Sequence, residues 1–364
     1  MKGFDEVITV KAPGKLYVAG EYAVVKSGYP AIVVAVNQFV TVSINKAKDH
    51  GTINSKQYEE VPVVWQRRGD KLVIDNRDNP FEYILSAIKY TEMYAVEHGN
   101  KLKLYDLNVN SQLDAKDGKK YGLGSSAAVT VATVKALSAF YKLNLTKEEI
   151  FKLASISHFK VQNNGSFGDI AASVYGGWIA YQAPDRDWLN EMLDSQSLSD
   201  VIAMNWPDLH IENLNFPNEL ELLIGWTGKP ASTPVLVDKI AVAQAKQHDK
   251  YNQFLDASKK CVNKLIKGFK IGSTEIIKTQ IMKNRLILQK LANFSGVSIE
   301  THKLTNLCDI AIKHGAAAKT SGAGGGDCGI AIADSNQHIK SSLLKEWNEH
   351  GIKPLDFDVH FLNE

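Results

Sequence analysis

The chain has 364 residues, 44% hydrophobic and 23% charged, which is the composition of an ordinary globular protein long enough for two domains. With 42 lysines and arginines against 40 aspartates and glutamates, the formal charge is only +2, so no polyanion is drawn to the molecule as a whole and a nucleic-acid partner is not expected. No stretch approaches the ~20 apolar residues of a membrane span, the opening MKGFDEVITVKAPGK has no signal-peptide core, and Cys261, Cys308 and Cys328 form neither a C-x-x-C pair nor an even framework; a reduced, cytoplasmic protein without a membrane partner is expected.

In chain order, VITVKA, AIVVAV and FVTVSIN between residues 7 and 44 read as strands, rich in Val and Ile and broken by Gly and Pro. Further strands are expected at 61–65 and 71–75. A helix follows at 80–97, with Phe81, Ile84, Leu85, Ile88 and Tyr94 at helical spacing. LYDLNVN at 104–110 alternates as a strand does. A polar loop then leads to KYGLGSSAAVTVA. Val129, Ala132, Thr133, Ala136, Leu137 and Phe140 step by three and four after the serines and mark one face of a helix. Thr146 and Glu149 have the spacing of a capping box, opening a helix through about Phe159. GSFGDIAASVYGGWIAY passes from a glycine-broken turn through a short helix into a strand.

Residues 184–217 are rich in Asp, Asn and Pro, and the domain boundary is placed there, giving domains 1–200 and 201–364. The second half restarts with the strand ELELLIGW and a Pro/Ser/Thr turn. Helical patterns cover 234–268, 274–294 and 300–314. The loop KTSGAGGGDCG, the strand GIAIA and a final helix and strand complete the chain.

A glycine-serine loop entering a helix is suited to a phosphate, because the helix N-terminus offers free N–H groups and glycine lets an oxygen come close. The competing reading is a tight turn into a crowded helix. Gly122, Gly124 and Ala127 fit the dinucleotide pattern G-x-G-x-x-G/A, but that fold needs a strand before the loop and an acid ending a second strand. Polar DAKDGKKY precedes the loop here, and a helix, TKEEIFKLA, stands where the acid should be. A Walker loop G-x-x-x-x-G-K-[ST] and an H-R-D catalytic loop are absent.

Three stretches together narrow the choice. KAPGKLYVAGEYAVV (11–25), GLGSSAA (122–128) and KTSGAGGGDCGIA (319–331) resemble, in order, the three signature motifs of the GHMP small-molecule kinases. GDIAASVYGGW and GWTGKPAST extend the likeness over nearly the whole chain, and direct it to the members that phosphorylate phosphomevalonate in the bacterial mevalonate route. The resemblance implies an α+β fold of two domains with the active site in the cleft between them. It also implies ATP and (R)-5-phosphomevalonate as small-molecule substrates, Mg²⁺ carried with ATP, and a monomer or homodimer.

Carried onto this sequence, Gly122, Leu123, Gly124, Ser125, Ser126 and Ala127 are the ATP-binding residues, and Ser126 also matches a serine that contacts Mg²⁺. As plain structure, Ser126 would be a helix cap. Lys15 and Asp169 are the catalytic residues and also face the substrate. The lysine stabilises the moving phosphoryl group, and the aspartate stands beside the acceptor hydroxyl as base or orienter. Lys15 is expected at the end of a strand, and Asp169 could instead cap the helix IAASVY. Lys120, with Lys119 as its competitor, is expected on the substrate phosphate. Ser232, Thr233, Ser321, Gly322 and Gly324 complete the substrate set, and Asn76–Pro80 is expected at the edge of the adenine pocket.

One position departs from the pattern. Some family members carry a glutamate about 11 residues before the aspartate as a second Mg²⁺ ligand, and here it is His158, a poor partner for a hard cation. The other readings are mevalonate kinase, the decarboxylase acting on diphosphomevalonate, and, of another class, a non-catalytic ligand sensor on the same scaffold. A sensor should have lost Lys15, Ser126 and Asp169, and all three are present.

Overall fold

The structure, a computed structural model, describes residues 7–55, 62–69, 71–74, 81–115, 117–231 and 233–362. Asn76–Pro80 and Ser232 lie outside the described residues. Among those described, the first sheet takes β1 (Ile8–Ala19), β2 (Pro30–Lys46), β3 (Gly51–Ser55), β4 (Val63–Arg68), β5 (Lys71–Ile74), β6 (Tyr105–Ser111), β7 (Trp178–Gln182) and β8 (His210–Leu214). Their order is β5-β4-β3-β6-β2-β7-β8, with β1 antiparallel on β2. Its helices are α1 (Glu82–Glu97), α2 (Ser125–Tyr141), α3 (Lys147–Phe159), α4 (Gly168–Tyr175), α5 (Arg186–Ser195) and α6 (Leu198–Ala203). The second sheet is built from β9 (Leu220–Trp226), β10 (Ala317–Thr320), β11 (Cys328–Asp334) and β12 (Lys353–Leu355), in the order β10-β11-β9-β12. Around it lie α7 (Thr233–Lys246), α8 (His248–Lys270), α9 (Thr274–Ser295), α10 (His302–Lys313) and α11 (Gln337–Glu349).

Local chemistry accounts for most of these limits. Thr146 caps α3 as expected: its Oγ1 accepts from the Glu149 N–H at 3.2 Å, and its own N–H donates to Glu149 Oε2 at 2.8 Å. The apolar positions of α2 are buried nearly all round, with Val131, Ala132, Val134, Ala136 and Leu137 at 0% exposure, because the helix is covered on several sides. It packs on β1 and β2 with α1, α3 and α4 beside it. That burial fixes the loop at its N-terminus, Gly122–Gly124, against the sheet.

Three expectations change. AIVVAV and FVTVSIN are one strand, β2, and VITVKA runs on through the motif to Ala19. Lys15 therefore lies within β1 rather than at a strand end. It stands just past a bulge, where the register moves from Pro13 opposite Phe39 to Gly14 opposite Val36. The helical pattern at 234–268 is two helices, broken at Gln247, whose φ of −134° and ψ of 57° interrupt the spiral. Residues 184–217 hold α5, α6 and β8, and β8 pairs with β7 in the first sheet. The expected division after residue 200 thus falls inside α6, while the sheets themselves change over between Leu214 and Leu220. The C-terminal tail crosses back: Val359 bridges to Val36, and the His360 N–H donates to Ala35 O at 3.0 Å.

Candidate active site

The two sheets meet along a cleft of about 400 Å³ lined from both sides. From the first come Lys15, Tyr17, Tyr83, Lys120, Gly122, Gly124, Ser125, Ser126, His158 and Asp169; from the second, Ala231, Val237, Gly322, Ala323 and Asp327. One opening thus brings together the reactive residues expected from the three motifs.

The register shift between Pro13 and Gly14, with the extra residues on β2, is where strand and loop are coupled. The Lys15 N–H donates to Leu123 O at 2.9 Å. A Cβ on Gly14 would stand 2.8 Å from Leu113 Cδ2 and 3.0 Å from Leu123 O, so only glycine allows that approach. The Lys15 side chain then reaches along the loop, its Nζ 3.5 Å from Gly122 O and 5.5 Å from the centre of the Tyr17 ring. Gly122 and Gly124 hold φ of 82° and 75°, and Gly124 is the N-cap of α2. A Cβ on Gly124 would lie 2.8 Å from Lys15 Cε and 3.6 Å from Asp169 Cβ, so the lysine and the aspartate flank the start of the helix. Leu123 and Ala127 are buried, at 1% and 0% exposure, and serve through packing and the Leu123 carbonyl rather than by facing the cleft.

Asp169 sits in the first turn of α4 behind Phe167, whose φ of 63° turns the chain into the helix. It is not the cap; its Oδ1 accepts from the Ile170 N–H at 3.1 Å. Beneath it Tyr17 shares a 2.8 Å hydrogen bond with Ser166 Oγ. Burial, with the Asp169 charge second, pushes the Tyr17 phenol far above its ordinary range, so it stays protonated. His158 is 2% exposed, and burial lowers its pKa despite the opposing pull of Asp169, which keeps the imidazole neutral. Its Nε2 is 3.2 Å from Ser126 Oγ.

The lysines separate cleanly. Lys119 turns out to Asp117, an exposed pair at 2.8 Å, while Lys120 faces the cleft. Opposite them stands Asp327, from the last glycine loop. Its backbone has φ 49°, and its Oδ1 accepts from the Ala231 N–H at 3.0 Å. Burial raises its carboxyl pKa, against the pull of that N–H and of Lys15 and Lys120. Among the loop residues expected to meet substrate, Gly322 lines the cleft. Ser321 instead donates from Oγ to Tyr17 O at 2.8 Å, and Gly324 packs on the Ile299 backbone. Thr233 begins α7.

Several residues of the site were given no role from the sequence, some of them inside the motifs. Glu21 and Lys319, both buried, form an ion pair that joins the end of β1 to β10. Tyr22 donates to Ala323 O at 2.5 Å, from a backbone with φ 62° and ψ −45° and a 2.7 Å Ala23 N–H to Glu21 O bond. That is a γ-turn of the strained hand, and strain of this kind persists where surrounding contacts over-determine it. Tyr17 was foreshadowed by strand alternation, two residues from Lys15 and on the same face. Asp327 lies within the third motif, while Tyr83, Gln162 and Asn164 had no such signal.

The arrangement can hold a polyphosphate at the α2 N-terminus between two lysines, with a carboxylate beside it. No cluster of three or more His, Cys, Asp or Glu fit for a metal exists among the described residues. Ser126 and Asp169 could each give one oxygen to a cation that brings its other ligands with it.

Comparison with known proteins agrees with this geometry. The family model for the GHMP kinases N terminal domain matches residues 82–177, and that for the GHMP kinases C terminal matches 266–352. The chain is 38% identical over 362 residues to a phosphomevalonate kinase of Streptomyces sp. (strain CL190), covering 96% of each. A crystal structure of the Lin0012 protein from Listeria innocua superposes with a TM-score of 0.93 at 38% identity, covering 98% of both chains. Streptococcus pneumoniae phosphomevalonate kinase in complex with phosphomevalonate and AMPPNP superposes with a TM-score of 0.84 at 30% identity, covering 97% of this chain and 100% of that one.

Proposed function

The chain belongs to the GHMP kinase family, and we propose on that premise that its cleft transfers the γ-phosphoryl group of ATP to the phosphate of (R)-5-phosphomevalonate, giving ADP and (R)-5-diphosphomevalonate. The observation that carries this reading is the convergence of the α2 N-terminus, Lys15, Lys120 and Asp169 on one cleft. An acceptor that already bears a phosphate needs cations besides those that meet ATP, and Lys120 is a second lysine facing the same space.

In the reaction an oxygen of the acceptor phosphate bonds to the γ-phosphorus as the bond from that phosphorus to the ADP oxygen breaks. Little covalent work falls to the protein, so positioning and charge stabilisation carry the rate. The loop N–H groups of Gly122, Gly124, Ser125 and Ser126 hold the triphosphate, aided by the helix dipole. Lys15 sits between donor and acceptor and offsets charge on the transferring group. Lys120 holds the acceptor phosphate. Asp169 orients the acceptor and takes any proton it still carries, while the neutral Tyr17 phenol and Ser166 support the floor beneath it. Mg²⁺ enters with ATP as part of that substrate; when bound it neutralises phosphate charge, and Ser126 and Asp169 are the protein groups that would reach it. Residues from both halves of one chain line the cleft, so the site needs no second copy, and a monomer or homodimer in the cytoplasm accommodates the chemistry.

The test is ADP release from MgATP with mevalonate, phosphomevalonate or no acceptor in parallel. ADP formed only with phosphomevalonate supports the reading; ADP formed with mevalonate moves the acceptor, and none with either rejects the reaction.

A further inference from the structure

His158 stands at the phosphate end of the cleft, and the reaction above gives it no task. It lies in the last turn of α3, with its ring packed on Tyr83 at a centroid distance of 4.9 Å. Nε2 faces Ser126 Oγ at 3.2 Å, whereas Nδ1 is buried with no hydrogen-bond partner among the described residues. That asymmetry fixes the proton. On Nδ1 it would make a buried donor with no acceptor, which costs the full desolvation of an N–H. A ring protonated on both nitrogens would keep that orphan and add a buried charge. The proton therefore belongs on Nε2, and Nε2 can only donate.

A serine hydroxyl that accepts one hydrogen bond still has its own hydrogen to give. Ser126 is the second residue of α2 and lines the cleft. Its neighbour Tyr83 donates its own hydroxyl hydrogen to Gln162 Oε1 at 3.1 Å, so Tyr83 is not a donor to Ser126 and the imidazole is left in that role. We propose that His158 is a positioning residue that donates from Nε2 to Ser126 Oγ and thereby turns the Ser126 hydroxyl hydrogen onto a phosphate oxygen of the bound nucleotide. Accepting from the imidazole polarises the hydroxyl and strengthens the bond it gives. The relay adds a side-chain donor to the backbone donors of the helix N-terminus. This donor role toward phosphate is separate from the oxygen that Ser126 could offer a cation. The inference rests on the cleft being the ATP site.

The test is calorimetric ATP binding without acceptor, in Mg²⁺ and in EDTA. The proteins are wild type, His158→Leu, His158→Asn, His158→Gln, Ser126→Ala and Ser126→Ala combined with each of the first two. Leu removes the donor, Asn is too short to reach Ser126, and Gln places an amide N–H near the Nε2 position. His158→Leu and His158→Asn are expected to weaken ATP binding about 10- to 100-fold, the size of one hydrogen bond to a charged group. His158→Gln should recover most of that, and neither loss should appear in the Ser126→Ala background. The losses should be the same in EDTA as in Mg²⁺. Wild-type affinity in His158→Asn, failure of Gln to rescue, an additive loss without Ser126, or a loss confined to Mg²⁺ each overturns the proposal. Where His158→Leu does not fold, by circular dichroism, the Asn variant decides. Wild-type protein that binds no ATP refutes the ATP site itself, and the relay with it.

Discussion

Gly122–Ser126 and Gly322–Gly326 are both glycine-rich, both turn the chain with positive φ, and both border the same cleft, yet different things crowd their glycines. Beside Gly122 a Cβ would strike the Asp327 carboxyl at 2.4 Å, and beside Gly124 it would strike Lys15 at 2.8 Å. Those neighbours are charged side chains. Beside Gly324 and Gly326 it would strike backbone, the Ile299 carbonyl at 2.1 Å and the Lys229 carbonyl at 2.4 Å. The first loop uses glycine to bring charged groups against a helix N-terminus. The second uses it to fold tightly enough to aim Gly322, Ala323 and Asp327 across the cleft. Glycine content alone does not separate a phosphate cradle from the brace that faces it.

The sharpest cut at this distinction falls on the side of the first loop. Asp169→Ala, beside Gly124, is expected to lower kcat by roughly 10²–10⁴ with the melting temperature nearly unchanged, the range for loss of a general base or orienter. Steady-state kinetics within a few-fold of wild type would remove Asp169 from the reaction.

The brace should fail differently. Gly324→Ala puts a methyl into backbone at a φ of 71° and should cost about 2–5 kcal/mol of stability. Gly322→Ala has a similar φ, 69°, but meets nothing within 4 Å, and should cost about 1 kcal/mol. Equal denaturation midpoints for the two would break the assignment of the second loop as a packed brace.

Lys120 and Lys119 offer a contrast of adjacent residues. Lys120→Ala is expected to raise KM for phosphomevalonate by about 10-fold or more, the loss of one charge-assisted contact, with little change in KM for ATP. Lys119→Ala, which loses only an exposed pair, should leave both within about two-fold. A matching rise in both KM values for Lys120→Ala would move that lysine to the nucleotide.

The smallest expected effect concerns Asp327 and pH. Its carboxyl pKa is raised in the folded state, chiefly by burial, so the folded protein holds that proton more tightly than the unfolded chain. The sign follows: its charge costs stability above the folded pKa, and the cost disappears as pH falls through the ordinary carboxylate range. Asp327→Asn should therefore melt higher than wild type at neutral pH, and the gap should close on acidification. A gap that widens in acid would reverse the assignment.

The local patterns that survive folding are those that depend on neighbours a few residues away. The Thr146 and Glu149 box, the helical face from Val129 to Phe140 and the alternating strand at 104–110 were legible because sequence spacing sets which groups meet within one turn or one pleat. The order of the three motifs also pointed to the family, and the resemblance grouped Lys15, Ser126 and Asp169, which all line one cleft. The polar run at 184–217 holds α5, α6 and β8, of which α6 packs on α1 and α3 and β8 joins the first sheet, contacts that composition does not mark. Likewise the helical period from 234 to 268 is continuous in sequence, yet the chain breaks at Gln247, a position that hydrophobic spacing does not mark.

By itself, then, the sequence determined most of the elements and the glycine-serine loop at the start of α2, and among the described residues no helix is long and apolar enough to cross a membrane. Only the tertiary structure decided which lysine enters the cleft, that Asp327 faces Lys15 from the other half of the chain, and that His158 rather than solvent stands behind Ser126. Those choices depend on contacts between residues hundreds of positions apart, such as the bond from Tyr22 to Ala323. No local period encodes such contacts, because they arise only when the two sheets close on a common cleft.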